Sequence, residues 1–117
     1  MRPTDHADSG PLRIISAETK GIVLSNGNEQ WCEPWTAIDE VTVGRVSFGF
    51  KPVVVACVGI DSERVVMVRD TDPNWRKMMD QLHTALGCEH VEGWCNDPGI
   101  SAKPRLIYLR QGSFEEP

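Results

Sequence analysis

Three residues able to bind a metal or to act as nucleophiles lie close together in the chain: Cys88, His90 and Cys95. Cys32 is a candidate fourth ligand from a distant segment. A structural zinc site uses four thiolate or imidazole ligands, usually with cysteine pairs about two to four residues apart. Six residues separate Cys88 from Cys95, so this pairing is missing. A thiol or zinc-binding protein is therefore the alternative interpretation, and the favoured one has no metal and no cofactor.

The other reactive side chains form no recognisable catalytic group. A reactive cysteine needs a nearby cation or a helix N-terminus to lower its thiol pKa, and Cys57 lies in an apolar run, residues 53–60. Cys88 follows the C-terminal end of a predicted helix, where the helix dipole opposes a thiolate. The sequence has no Gly-x-Ser-x-Gly, phosphate-binding glycine loop or His-Glu-x-x-His. It therefore favours a protein without enzymatic activity.

Four tryptophans in 117 residues are the most distinctive excess in the composition. Two of them fall on predicted core faces, whereas Trp35 and Trp94 fall in connecting segments. An aromatic ring in a connection either covers an end of the core or anchors a partner. If these rings anchor a partner, at least one must be exposed beside a groove. Arg45 and Arg69 complete the candidate binding residues, because we expect them to face solvent on strands.

Charge and hydropathy limit the partners and the compartment. Twelve basic and seventeen acidic residues give a formal charge of −5, which argues against a nucleic-acid-binding module. The first ten residues hold no apolar core, so we expect no signal peptide. The longest apolar run, residues 53–60, is too short for a transmembrane segment. These features predict reduced cysteines and a cytoplasmic location.

Most of the chain has the pattern of β-strands. Asn26-Gly27 suits a two-residue type I′ turn, which would place Ile22 opposite Trp31. In residues 40–48 we expect Gly44 to form a bulge that brings Val46 onto the face of the preceding valines. Short connections between the following strands predict an antiparallel meander. The predicted strands are 12–16, 20–25, a partner strand ending at Pro34, 40–48, 53–60, 64–69 and 106–109.

One segment, residues 73–86, has the pattern of an amphipathic helix. Asp72 can cap it, Pro73 suits its first position, and Gly87 can end it in the left-handed conformation. Its apolar side chains recur every three or four residues, so we expect this stripe to lie against the sheet formed by residues 40–69. The stripe consists of Trp75, Met78, Met79, Leu82 and Leu86.

The order of these elements predicts one α+β domain over residues 12–110, between a disordered tail, 1–11, and a flexible tail, 111–117. Its architecture would be a curved antiparallel sheet or partial barrel of about five to seven strands, capped by one helix. Residues 12–87 resemble the small bacterial pleckstrin-homology-like domains of unknown function. The early hairpin, residues 34–41 (Pro-Trp-Thr-Ala-Ile-Asp-Glu-Val) and the helix led by Trp75 carry this resemblance.

The resemblance implies a bent sheet closed at one end by the helix, and it supplies no ligand. Its lipid-binding members use a basic cluster around the first hairpin. In this chain Lys20 is accompanied by Glu29 and Glu33, which does not favour phosphoinositide binding.

Taken together, the residues predict a non-catalytic binding module that acts through a sheet edge or a strand–helix groove. The expected partner is a protein or peptide, and a second copy of the chain is one candidate.

Overall fold

Seven strands and two helices follow one another in the part of the chain that the structure describes. The computed structural model describes residues 12–110, so both predicted tails lie outside the described residues. The strands are β1 (Arg13–Glu18), β2 (Gly21–Ser25), β3 (Gln30–Pro34), β4 (Ile38–Phe48), β5 (Lys51–Ile60), β6 (Arg64–Arg69) and β7 (Arg105–Leu109). The helices are α1 (Trp75–Leu86) and α2 (Gly99–Ala102), with short 3-10 turns at Trp35–Ala37 and Val91–Gly93.

The strands form two antiparallel sheets, with orders β1-β2-β3 and β6-β5-β4-β7. The α+β class and the antiparallel meander β4-β5-β6 are therefore confirmed. The seven strands are divided between two sheets and form no closed barrel within residues 12–110, and the predicted curvature of the sheet stays a prediction. The chain leaves β3 at Pro34, which has no amide proton to continue a ladder, and turns through Trp35–Ala37. The returning strand β7, rather than β3, then pairs with β4.

The loop of the first hairpin, between β2 and β3, is longer than the predicted two residues. It comprises residues 26–29, so Leu24 rather than Ile22 lies opposite Trp31. The Asn26 side chain accepts hydrogen bonds from the amides two and three positions further on, at 3.0 and 2.9 Å. This local bonding stabilises a longer turn than the Asn-Gly pair alone indicates. The predicted register, which assumed a two-residue loop, was wrong.

No bulge forms at Gly44. Pairing of β4 with β5 continues without a shift from Glu40 to Phe48. Val43 is therefore buried toward the core, while Val46 lies on the opposite face and is 44% exposed. A Cβ added at Gly44 would lie 3.7 Å from the carbonyl oxygen of Ile100, so the segment before β7 runs closely past this position. The predicted return of Val46 to the core face was wrong.

The helix α1 begins two residues later than predicted. The Asp72 carboxylate accepts a hydrogen bond from the amide of Asn74 at 2.8 Å, which forms a turn immediately before the helix. Gly87 ends the helix with a φ of 75°, as predicted. The amide of Gly87 donates to the carbonyl of His83 at 3.0 Å, which satisfies part of the helix end.

Three side chains of the apolar stripe of α1 are buried, and the helix lies beside β1 of the first sheet as well as over the shared core. Met78, Met79 and Leu82 are all less than 5% exposed and join one core with side chains from both sheets. The Asn74 side-chain amide also donates to the carbonyl oxygen of Ile14 in β1, at 3.3 Å. The helix thus covers a core that the two sheets share: strands of residues 40–69 contribute Val41, Val58 and Val66 to it, and the first sheet contributes further side chains beyond the expected packing.

A buried carboxylate joins the β5–β6 turn to the end of β7. Asp39 is 8% exposed, and its carboxylate accepts hydrogen bonds from the amide and hydroxyl of Ser62 and from the guanidinium of Arg110. Asp61 and Ser62 both have a positive φ, 55° and 60°. L-residues adopt this conformation at a cost, and the contacts to Asp39 help to hold the turn.

A substitution at Gly21 tests the pairing of β2 with β3 in the first sheet. A Cβ at this position would overlap the backbone carbonyl of Glu33 in β3 and lie 3.0 Å from the Cα of Pro34. Backbone atoms in a paired strand cannot move aside without a large cost in free energy. We expect Gly21→Ala to lower the free energy of unfolding by about 2 kcal/mol or more, measured by urea denaturation.

Gly44→Ala is the matched control, because the atoms nearest its added Cβ lie at ordinary contact distances of 3.7 and 3.9 Å. We expect it to change the free energy of unfolding by less than about 0.5 kcal/mol. Equal losses for the two variants would contradict the described pairing of β2 with β3.

Candidate functional site

The two tryptophans proposed as anchors are buried. Trp35 is 7% exposed and donates its indole N–H to the carbonyl oxygen of Glu18 at 2.9 Å. Trp94 is 1% exposed and packs edge-on against Trp75, with ring centroids 6.3 Å apart. The expectation that one of these rings is exposed was wrong, and both rings instead belong to the core.

Arg45 holds a loop in place rather than facing solvent. Its guanidinium donates to the carbonyl oxygens of Cys95 and Asp97 and to the Ser101 hydroxyl, the last at 2.8 Å. These bonds fix the segment before β7 beside β4. Arg69 is exposed at the end of β6, so the structure does not bring the two candidate arginines together as one site.

The proposed thiol and metal residues do not form a ligand set. Cys88 is 2% exposed, and burial raises the pKa of its thiol to about 11. The His90 ring stacks on His83 with centroids 3.5 Å apart. Within residues 12–110 no group of three His, Cys, Asp or Glu side chains is placed to hold a metal ion.

A strand–helix groove is present, as the sequence suggested. This cleft of about 240 Å³ lies between β5, the first turn of α1 and the loop after it, and Trp75 forms part of its wall. Arg76 and Glu92 line the cleft and pair with each other at 3.5 Å. A backbone hydrogen bond and the Arg76 charge lower the pKa of the Glu92 carboxyl. Arg76 and Glu92 therefore already neutralise each other, while Asp70 also lines the groove.

The side of the four-stranded sheet that faces away from the core differs from the strand–helix groove because it exposes large apolar side chains. We call it the open face and define it by two rows of directly paired residues, which share a face because strand partners do so. The first row crosses the sheet through Met67, Cys57, Thr42 and Leu106, and the second through Val65, Gly59, Glu40 and Leu109.

Within these two rows, the large apolar side chains lie on the two edge strands. Val65 and Met67 on β6 are 63% and 52% exposed, and Leu106 and Leu109 on β7 are 51% and 37% exposed. The central strands carry smaller or polar residues between them. Adjacent strands lie about 4.8 Å apart, so the edge strands are separated by about 14 Å. The open face is therefore a shallow trough with apolar walls.

Sequence reasoning missed this surface. It considered only Arg69 of β6, as a residue expected to face solvent, and the other flanking arginine, Arg64, pairs with Glu33 and Asp61, at 2.8 and 3.1 Å. The available signal was the run from Val65 to Val68, which is apolar at both alternating positions. A strand of this kind places apolar side chains on both faces of the sheet.

A cleft of about 340 Å³ lies at one end of the trough. The whole second row of the open face lines it, together with the β5–β6 turn. Its lining residues are Asp39, Glu40, Gly59, Ser62, Glu63, Arg64, Val65 and Leu109.

Comparison with known proteins offers no relative from which a function can be transferred: no family model, curated protein or solved structure matches this chain. In the described range, residues 12–110, neither helix combines the length and the hydrophobicity needed to span a bilayer. The function must therefore be argued from the surface itself.

The raised pKa of Cys88 predicts that its thiol reacts slowly with alkylating reagents. At about pH 8, a thiol pKa of about 11 instead of 9.0 reduces the reactive thiolate about 100-fold. We expect iodoacetamide to alkylate Cys88 at least about 100-fold more slowly in the native protein than in denaturant, measured by peptide mass spectrometry.

The exposed Cys32 serves as the internal control in the same sample. It should be modified in the native protein while Cys88 is not. Equal native rates for the two cysteines would show that Cys88 is accessible and would favour the thiol-protein interpretation.

Proposed function

We propose that this chain is a non-catalytic interaction module that binds an apolar segment of a protein or peptide partner on the open face of its four-stranded sheet. One observation supports the proposal above the others: Val65, Met67, Leu106 and Leu109 are exposed along the two walls of one trough. Several large apolar side chains exposed on one face in this way are typical of protein interaction sites.

The sequence predicted that a partner binds at a sheet edge or in the strand–helix groove. We place binding on the open face of the four-stranded sheet, which β7 borders on one side. The edge strands of the first sheet are β1, which lies beside α1, and β3, which ends at Pro34 and lacks an amide donor there. In the strand–helix groove, the one cation that lines it, Arg76, already pairs with Glu92, as judged over residues 12–110. The open face instead leaves large apolar side chains in water, where a partner gains free energy by covering them.

The free energy gained by covering each exposed side chain determines how much its substitution should weaken binding. Covering the remaining exposed half of a Met or Leu side chain contributes about 1 kcal/mol, equivalent to about fivefold in affinity. Removing Met67 and Leu106 together should therefore weaken binding about 30-fold. The resemblance to pleckstrin-homology-like domains and the cytoplasmic location stay predictions, and the proposal depends on neither.

The test uses a random 12-residue peptide library displayed on phage and selected on the immobilised full chain. Enriched peptides are synthesised with a fluorophore, and their Kd values are measured by fluorescence anisotropy. We expect Met67→Gln/Leu106→Gln to raise Kd about 30-fold, because the variant removes apolar contact area without changing the charge.

Phe50→Gln is the matched control. Phe50 is fully exposed in the β4–β5 turn and lies outside the two rows of the open face. It should leave Kd within about twofold of the wild-type value. If no peptide is enriched, or if the Phe50 variant loses as much affinity as the double variant, the open face is not the binding surface.

A further inference from the structure

The cleft at the end of the open face combines apolar walls with uncompensated negative charge. Val65 and Leu109 lie on opposite sides of it, and Gly59 lies between them on the floor. A Cβ added at Gly59 would lie 3.3 Å from Cγ of Glu40, so the Glu40 stem lies across this glycine. The absence of a side chain at position 59 therefore provides the space that Glu40 occupies.

Most charged groups around the cleft already have partners. The Asp39 carboxylate bonds to Ser62 and Arg110. The Arg64 guanidinium pairs with Glu33 at 2.8 Å and with Asp61 at 3.1 Å. The only cation lining the cleft is thus engaged by two carboxylates, as judged over residues 12–110.

Glu40 and Glu63 are different. Both side chains are exposed and line the cleft. Among residues 12–110, the ion pairs and side-chain hydrogen bonds of the structure include neither carboxylate. Two carboxylates at one end of an apolar trough complement a ligand that has both an apolar body and a positive charge.

We infer that this cleft receives a lysine or arginine side chain of the partner segment whose apolar residues cover Met67 and Leu106. The inference rests on the proposed function and adds the chemistry of the partner. The aliphatic stem of the basic residue contacts Val65 and Leu109, and its charged group approaches Glu40 and Glu63. A stem with a terminal charge can use both kinds of surface at once.

The spacing of the two rows defines the pattern of the partner. Successive residues on one face of a strand lie about 7 Å apart, so the apolar contact over Met67 and the contact of the basic residue's stem over Val65 are separated by that distance, and the charged group extends from there toward Glu40. An extended segment meets it with residues i and i+2. A partner segment therefore carries a large apolar residue and a Lys or Arg two positions away.

Two other occupants fit the observations less well. A second copy of this chain brings a formal charge of −5 to a face that already has two unpaired carboxylates, which opposes self-association. A hydrated metal ion makes no use of the apolar walls, and within residues 12–110 no group of three potential ligands is assembled.

The experiment selects the same phage library in parallel on the wild-type chain and on Glu40→Gln/Glu63→Gln. We expect Lys or Arg at a fixed distance from a large apolar residue in the wild-type pool, and loss of that preference with the variant. For a synthesised wild-type peptide, the variant should raise Kd at least about tenfold at low salt. The difference should shrink at high salt, because exposed charges are screened.

Asp70→Asn/Asp80→Asn is the matched control, because it removes two exposed carboxylates that lie outside the cleft. It should leave both the selected pattern and Kd within about twofold of wild type. An equal loss with this control would show that net charge, rather than the cleft, attracts the basic residue.

The remaining outcomes separate the inference from the proposed function. If the enriched peptides lack a basic residue but still lose binding with Met67→Gln/Leu106→Gln, the basic-residue cleft is wrong and the interaction module stands. If no enrichment depends on the open face, both are wrong. If sedimentation velocity shows a dimer that dissociates in the Met67→Gln/Leu106→Gln variant, the occupant is a second copy and the inference is overturned.

Discussion

The fold depends on a single apolar core that two antiparallel sheets and α1 share. Val66 and Val68 of β6 are each 1% exposed because they point into this core. Side chains alternate along a strand, so their neighbours Val65 and Met67 must point the other way. With the helix on the core side, the opposite side of the four-stranded sheet is left with apolar side chains in contact with water. The candidate binding surface follows from this arrangement.

Polar side chains, rather than further apolar packing, hold the ends of the sheet in place. Arg45 bonds to the segment between α1 and β7 through two carbonyl oxygens and the hydroxyl of Ser101 in α2. Asp39 bonds to the β5–β6 turn and to Arg110 beyond β7. A partly buried charge of this kind is tolerated because hydrogen bonds replace its water. These two residues keep β7 beside β4, and β7 supplies one wall of the trough.

Local patterns predicted the elements better than their arrangement. The β-branched run of β6 and the Gly87 end of α1 were predictable because they depend on alternation and on a positive φ. The hairpin register depended on the Asn26 side-chain bonds, and the division into two sheets depended on β7 returning to β4. Such long-range pairing has no local signal in a single sequence.

The candidate site was harder to predict than the fold. Trp35 and Trp94 are aromatic residues in connecting segments, and whether such rings cover a core or face water depends on the packing of distant strands. The alternation of β6 indicated two apolar faces, yet nothing in the sequence showed which face the helix covers. Glu40 lies in the cleft because of its register with Gly59, which only the β4–β5 pairing determines.

Cysteine scanning of β6 tests the central claim most directly. Val65, Val66, Met67 and Val68 are replaced by cysteine one at a time, and the native alkylation rate of each new thiol is measured by peptide mass spectrometry. Our account gives fast modification at positions 65 and 67 and slow modification at 66 and 68, where the native side chains are buried. Equal rates at all four positions, or the reverse alternation, would contradict a sheet with one face in the core and the other open to a partner.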